Sequence, residues 1–280
     1  MRNRLALLLA LTTLTLSAHA ADKLRVEDVL AKHLASIGTA DARASAKTRV
    51  ADGKAEMQEV VGGSSSVRGN ANLFCDNRRL KIAMAFSGVA QYPGEQWVFD
   101  GKNTAVAETA PGARSSIGNF IHRYPELLRE GLLGGSALTS WSLLDLDARQ
   151  PRLKYDGLKK IEGRELHQIS YTPKKGASGL QIRLFFDPET FRHVKTTYTM
   201  ELGAGLTEMK DARGNVVGTD VNQHQAEVRY VVTENFGDFQ AVDGLALPTS
   251  WSITYDYQPS TTAIMKWSIK LEHFKHNQEL

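Results

Sequence analysis

Two periodicities divide this chain. In RVEDVLAKHLASIGT the apolar positions Val26, Val29, Leu30, Leu34 and Ile37 recur every three or four residues, and Gly38 stands where such a run should stop. That spacing predicts one amphipathic helix, with His33 beside its apolar stripe rather than in a site. From Lys47 the period drops to two. LKIAMAF sets Leu80, Ile82, Met84 and Phe86 on one face, and QWVFDGKNTAV reads as a strand carrying Trp97 and Phe99, a turn at Asp100 to Asn103, and a second strand. LQIRLFF sends Leu180, Ile182, Leu184 and Phe186 one way and Gln181 and Arg183 the other. VKTTYTMEL alternates Val194, Tyr198, Met200 and Leu202 with polar neighbours. SWSITYDY offers Trp251, Ile253, Tyr255 and Tyr257, and IMKWSIKLEHF offers Met265, Trp267, Ile269 and Leu271. About ten segments follow this alternation, which belongs to an antiparallel sheet wetted on one side.

One stretch interrupts the strands. SSIGNFIHRYPELLREGLLGG places Ile117, Phe120, Ile121, Tyr124, Leu127, Leu128 and Leu132 at helical spacing, with Pro125 inside the run. A proline there removes a backbone donor and clashes with the preceding turn, so two short helices or a kink are expected, ending at Gly134-Gly135. ALTSWSLLDL adds an apolar piece that could be a further short helix. Long loops are expected at VVGGSSSVRGN and from Gly203 to Gln225, the second either mobile or a projecting hairpin. Nothing repeats, and no linker divides the chain, so 21–280 reads as one domain.

The first twenty residues change the compartment. Arg2 and Arg4, an apolar run from Leu5 to Leu16, and Ala18-His19-Ala20 form the three-part pattern of a secretory signal peptide cut after Ala20. The apolar run is too short for the roughly 20 residues that span a bilayer. No later stretch is long and apolar enough either, and no cysteine follows the cut to accept a lipid. A periplasmic protein without an anchor is the expectation. Loss of the leader removes two arginines and no acids, taking the formal charge from +3 to +1, so net charge makes no case for nucleic acid. About 260 residues give ample core. Cys75, the single cysteine, rules out an internal disulfide and reads as a buried packing residue.

Candidate chemistry is sparse. In LFFDPETFRHVKTTY, Asp187 and Glu189 lie close to His193. Asp187-Pro188-Glu189-Thr190 has the residues of a type I turn between two strands, and a solvated tip does not supply the convergence and split pKa values that paired carboxylates need. His273 and His276 would face opposite sides of a strand and complete no zinc set. GGSSSVRG lacks the lysine of a phosphate-binding loop, and DARGNVVGTD has too few ligands for a calcium loop. No metal and no cofactor is expected. What does stand out is a large apolar sheet face with little helix to cover it. Such a face closes on itself in a barrel, or is filled by helices or an apolar ligand.

KKIEGRELHQISYTPKKG followed by LQIRLFFDPETFRHVKTTY resembles the strand–strand–turn–strand core of the LolA/LolB-like bacterial lipoprotein carriers. FGDFQAVDGLALPTSWSITY is similar to the next element of that superfamily, and EDVLAKHLASIG to its N-terminal helix. The resemblance implies a mainly β (α+β) fold, a half-open antiparallel β-barrel of about eleven strands with lid helices over an apolar cavity. In the carriers that cavity takes lipoprotein acyl chains crossing the periplasm, while relatives bind other lipids or act as sensors. The Phe120 to Leu128 region matches the lid in type. The Gly203 to Gln225 stretch has no counterpart in the compact carrier, and no local motif aligns the carrier's functional arginine with a position here.

These readings combine into a non-enzymatic periplasmic carrier of lipid or lipoprotein acyl chains, placed in outer-membrane lipoprotein sorting. The expected lining is Leu80, Ile82, Met84, Phe86, Trp97, Phe99, Trp251, Ile253 and Trp267, with Phe120, Ile121, Leu127 and Leu128 from the lid. The alternative is an envelope sensor or interaction module whose groove binds a membrane-protein partner. An exported hydrolase would require Asp187, Glu189 and His193 to converge.

Overall fold

The computed structural model describes residues 24–60, 65–88, 92–177, 179–202, 206–211, 216–221, 228–258 and 264–279. The expected leader at 1–20, part of each expected long loop, and the side chain of Leu202 lie outside the described residues. Helices α1 (Val26–Ile37) and α2 (Ala40–Ser45) precede strands β1 (Thr48–Glu59), β2 (Ser66–Asp76), β3 (Leu80–Phe86), β4 (Gly94–Phe99) and β5 (Thr104–Val106). Then come α3 (Ser116–Arg123), α4 (Glu126–Arg129), 3-10 turns at Gly135–Ala137 and Ser142–Leu144, and α5 (Leu146–Arg149). The second run of strands is β6 (Arg152–Ile161), β7 (Arg164–Thr172), β8 (Leu180–Phe186), β9 (His193–Leu202), β10 (Leu206–Lys210), β11 (Val216–Val221), β12 (Val228–Val242), β13 (Leu245–Gln258) and β14 (Ile264–His276).

Twelve strands form one antiparallel sheet in the order β5-β4-β3-β2-β1-β14-β13-β12-β9-β8-β7-β6, and β10 pairs with β11 separately. The sheet is open, with β5 and β6 at its edges. The β1–β14 pair, fifth and sixth in that order, is where Thr48–Glu59 meets the last strand, so the chain's two strand runs are joined by a long-range contact. The count is twelve rather than about eleven. Ser66 to Asn70, expected in a loop, belongs to β2, while the hairpin option for Gly203 to Gln225 is met by β10–β11.

Alternation works as the sequence implied. Leu80, Ile82, Met84 and Phe86 are buried, as are Trp251, Ile253 and Tyr255 on β13 and Trp267, Ile269 and Leu271 on β14. Partners across strands are large on both sides: Ile82 faces Trp97, Trp251 faces Ile269, and Ile253 faces Trp267. One position departs from the expected face. The β8–β9 register shifts between Phe185 and Phe186, so Phe186 pairs with His193 and Phe185 with Lys195. Val194 is the extra residue of this bulge and leaves the face of Tyr198, and His193 takes the inward position.

The helices predicted over Val26–Ile37 and on either side of Pro125 form, while the short α2 and α5 were not predicted. Ser115 caps α3 by accepting from the Gly118 N–H at 2.9 Å, and Pro125 separates α3 from α4. After α1 the backbone of Gly38 approaches the β12–β13 turn so closely that a Cβ would lie 2.7 Å from the Gly244 carbonyl oxygen. Among the described residues, no helix is long and apolar enough to cross a membrane.

Candidate binding site

The concave face of the sheet is filled by a segment of the chain itself. Residues 131–143 are buried without exception, although only short 3-10 turns interrupt their irregular path. Buried irregular backbone is uncommon because its polar groups lack the ladder that a strand or helix provides. Here side chains from the sheet and helices supply the partners. The Glu234 carboxylate on β12 accepts from Gly134 N–H at 2.8 Å, and Arg49 Nη1 on β1 donates to the carbonyls of Ser136 (3.1 Å) and Ala137 (2.8 Å). Thr139 donates through both its N–H and its hydroxyl to Cys75 Sγ, each at 3.2 Å, and Arg149 Nη2 donates to the Ser140 carbonyl at 3.0 Å. Tyr171 donates its one proton to Glu130 at 2.7 Å, so the Ser142 hydroxyl, 2.6 Å away, donates to Tyr171. We call 131–143 the plug.

Two histidines and four tryptophans complete the interior. Trp141 Nε1, a donor only, gives its hydrogen to His33 Nε2 at 3.1 Å; His33 therefore carries its own proton on Nδ1 and donates to the Phe191 carbonyl at 3.1 Å. Far from lying beside the stripe, His33 is completely buried and helps to hold the plug. Trp141 also stacks on His193, with ring centroids 4.6 Å apart. Burial pushes the His33 imidazole down to about 4, and holds His193 well below its ordinary range with His33 adding to the effect, so both are neutral. His193 Nε2 pairs with Thr196 at 2.8 Å, while its buried Nδ1 has no partner among the described residues. Each remaining indole N–H is also satisfied internally: Trp97 by Glu95 at 3.2 Å, Trp251 by Glu234 at 2.9 Å, and Trp267 by Tyr92 at 2.7 Å.

The expected lining residues are all in this core. Leu80, Ile82, Met84, Phe86, Trp97, Phe120, Ile121, Leu127, Leu128, Trp251, Ile253 and Trp267 belong to one buried apolar cluster, and Phe99 packs half-buried against it. Besides α3 and α4, the plug packs into the same buried cluster. What sequence reasoning missed is the set of buried charges: Arg49, Glu95, Lys195 and Glu234 are nearly or fully inaccessible. Their alternation with apolar neighbours was legible, but a charged residue at an inward position reads as an exposed one until its partner is known. Burial pushes the Glu234 carboxyl up to about 7, against the pull of its donors Gly134, Tyr198 and Trp251. Burial also raises Glu95 and lowers Arg49 to about 10.

The Asp187 stretch is a turn. Asp187 Oδ1 accepts from Glu189 N–H at 3.2 Å and from the N–H and hydroxyl of Thr190, both at 2.9 Å, while Glu189 is exposed. His193 faces the plug instead. The three residues do not share a site. His273 pairs with Asp52 at 2.9 Å and is exposed, whereas His276, on the other side of β14, pairs with Asp243 at 2.8 Å and is nearly buried. Among the described residues, no group of three or more histidine, cysteine, aspartate or glutamate side chains could hold a metal.

The class defined by these features is an open antiparallel half-barrel whose apolar concave face is occupied by its own chain. No protein-family model matches the sequence. No curated protein matches it either. Solved structures similar to it include a domain from Vibrio parahaemolyticus described as an outer membrane lipoprotein-sorting protein (13% identity, 91% of this chain and 94% of that one, TM-score 0.45). A LolA superfamily protein from Nitrosomonas europaea is similar at 10% identity over 92% of this chain and 96% of that one, TM-score 0.47. A third, a DUF1329 family protein from Desulfovibrio piger, is similar at 11% identity over 91% of this chain and 94% of that one, TM-score 0.46. These neighbours include the LolA and lipoprotein-sorting proteins that the C-terminal phrases resemble.

Proposed function

We propose that the chain is an exported, non-enzymatic carrier that holds lipid or lipoprotein acyl chains on the concave face of its sheet, in exchange for the plug. One observation carries this reading: the apolar face is covered by an irregular buried segment tethered through side chains, not by a regular element bonded to the sheet. Such a cover can leave as a unit when its tethers break.

The energetics favour a reversible exchange. Leu132, Leu133, Leu138, Trp141 and Leu143 are fully buried plug side chains. At about 1.5–3 kcal/mol each, their exposure costs roughly 10 kcal/mol. An acyl chain of about a dozen methylenes entering the same space contributes roughly 10 kcal/mol at about 0.8 kcal/mol per CH2. Comparable magnitudes of opposite sign allow loading and release without a large bias to either.

The lone thiol offers the test. Cys75 lies buried beneath Thr139, so a thiol reagent reaches it only when the plug lifts. Labelling should accelerate when a fluorescent fatty acid is titrated in, and mass spectrometry of an organic extract from detergent-free protein should find bound acyl chains. Unchanged labelling together with an empty extract would refute the carrier reading. The closely packed core favours, as a second reading, an envelope sensor or interaction module; a membrane-protein partner co-purifying with lipid-free protein would support it.

A further inference from the structure

Two cavities adjoin where α2 and the plug meet the end of β2. The first, about 390 Å³, is lined by Arg43, Arg49, Ser136 and Thr139 among others; the second, about 370 Å³, by Arg78, Arg129, Arg149, Lys174 and Lys175. Asn77 and Asp145 line both, making them neighbours across a shared wall. The described lining carries two cations in the first cavity and five in the second, against the carboxylates of Asp145 and Glu130. A chain whose formal charge without its leader is +1 has therefore gathered positive charge in one place.

Arg49 is the informative residue. Its Nε donates to His276 Nε2 at 2.9 Å, and the proton on His276 Nδ1 goes to Asp243 at 2.8 Å, so the imidazole is a neutral relay. Nη1 is taken by the plug carbonyls, and Nη2 has no partner among the described residues. A guanidinium that is 3% exposed thus has, among the described residues, no carboxylate in direct contact. Buried charge is stable only when compensated. Beside it, the Ser136 hydroxyl is buried and has no partner among the described residues. A buried cation and an orphan hydroxyl lining one cavity are complementary to an anion with several acceptor oxygens.

We propose that the paired cavities bind a phosphate group, with Arg49 and Ser136 in the inner lobe and Arg78, Lys174 and Lys175 around the outer mouth. The inference deepens the carrier reading, on which it rests for the source of that phosphate: the headgroup of an anionic lipid, held while the plug is in place and before its acyl chains displace the plug. Arg129 and Arg149 have other duties, Arg149 through its bonds to the carbonyls of Arg129 and Ser140.

Calorimetric titration of the purified protein tests this with four probes: dihexanoylphosphatidylglycerol, dihexanoylphosphatidylcholine, uncharged dihexanoylglycerol and inorganic phosphate. The anionic lipid should bind at least tenfold more tightly than the zwitterionic or uncharged one, weaken with added salt, and compete with phosphate. Combined Arg78→Glu, Lys174→Glu and Lys175→Glu should lower its affinity at least tenfold and leave dihexanoylglycerol binding unchanged; Ser136→Ala, which removes only an unpartnered hydroxyl, should lower it without unfolding the protein. Equal binding of all three lipids overturns the phosphate site while the carrier reading stands. Phosphate binding as tightly as the anionic lipid, with no response to dihexanoylglycerol, supports the site and refutes the lipid source. Binding of the anionic lipid that neither variant changes overturns the assignment.

Discussion

Replacing Glu234 with glutamine should flatten the pH dependence of stability. The carboxyl sits in the interior with Gly134 N–H and Trp251 Nε1 on one oxygen and Tyr198 on the other, at 2.8, 2.9 and 2.6 Å. Burial nevertheless raises it from 4.5 in the free side chain to about 7 in the fold. Between those values the folded protein holds a proton that the unfolded chain releases, so this group's contribution to stability is greatest below pH 4.5 and falls as pH rises to 7. A difference of about 2.5 at about 1.4 kcal/mol per pH unit amounts to roughly 3 kcal/mol. Glutamine has no proton to lose and keeps an acceptor for Gly134 and Trp251. Urea unfolding from pH 4.5 to 7.5 should show the native protein losing roughly 3 kcal/mol more than Glu234→Gln across that range. Glu95, also raised by burial, contributes the same slope to both proteins and cancels. Parallel profiles would refute the reasoning and mean that the three donors keep Glu234 ionised throughout.

Arg49→Met should leave the buried carbonyls of Ser136 and Ala137 unpaired, destabilise the protein by about 1–3 kcal/mol, and speed Cys75 labelling; unchanged labelling would mean that Arg49 does not hold the plug. In Gly135→Ala the new Cβ meets His193 Nδ1 at 2.8 Å and Phe236 at 3.0 Å, with φ at +49°, so thermal unfolding should reveal a loss of about 1–3 kcal/mol. Asp187→Ala removes the acceptor that shapes an exposed turn and should cost about 1 kcal/mol, with lipid binding intact; lost binding would reopen the case for a site there. Phe120→Asp places a charge between Tyr124 and Tyr255 and should reduce bound acyl chains while circular dichroism retains the sheet signal; full lipid content would remove Phe120 from the lid.

The sequence by itself determined the strands, their buried faces, the first helix and the break at Pro125, because these follow from local periodicity and backbone chemistry. It also located the turn at Asp187, since aspartate and proline specify their own geometry there. Tertiary structure decided the rest. Whether β1 pairs with β14 depends on residues more than two hundred positions apart, and no local pattern encodes that pairing. The bulge that turns His193 inward depends on register with β8. Most of all, 131–143 reads as the end of a helical run at Gly134-Gly135 followed by an apolar piece that could be a further short helix, yet it fills the concave face, because buried Arg49, Glu234 and Cys75 meet its backbone from three separate strands. A buried charge is recognisable only through its partner, and partners are brought together by the fold.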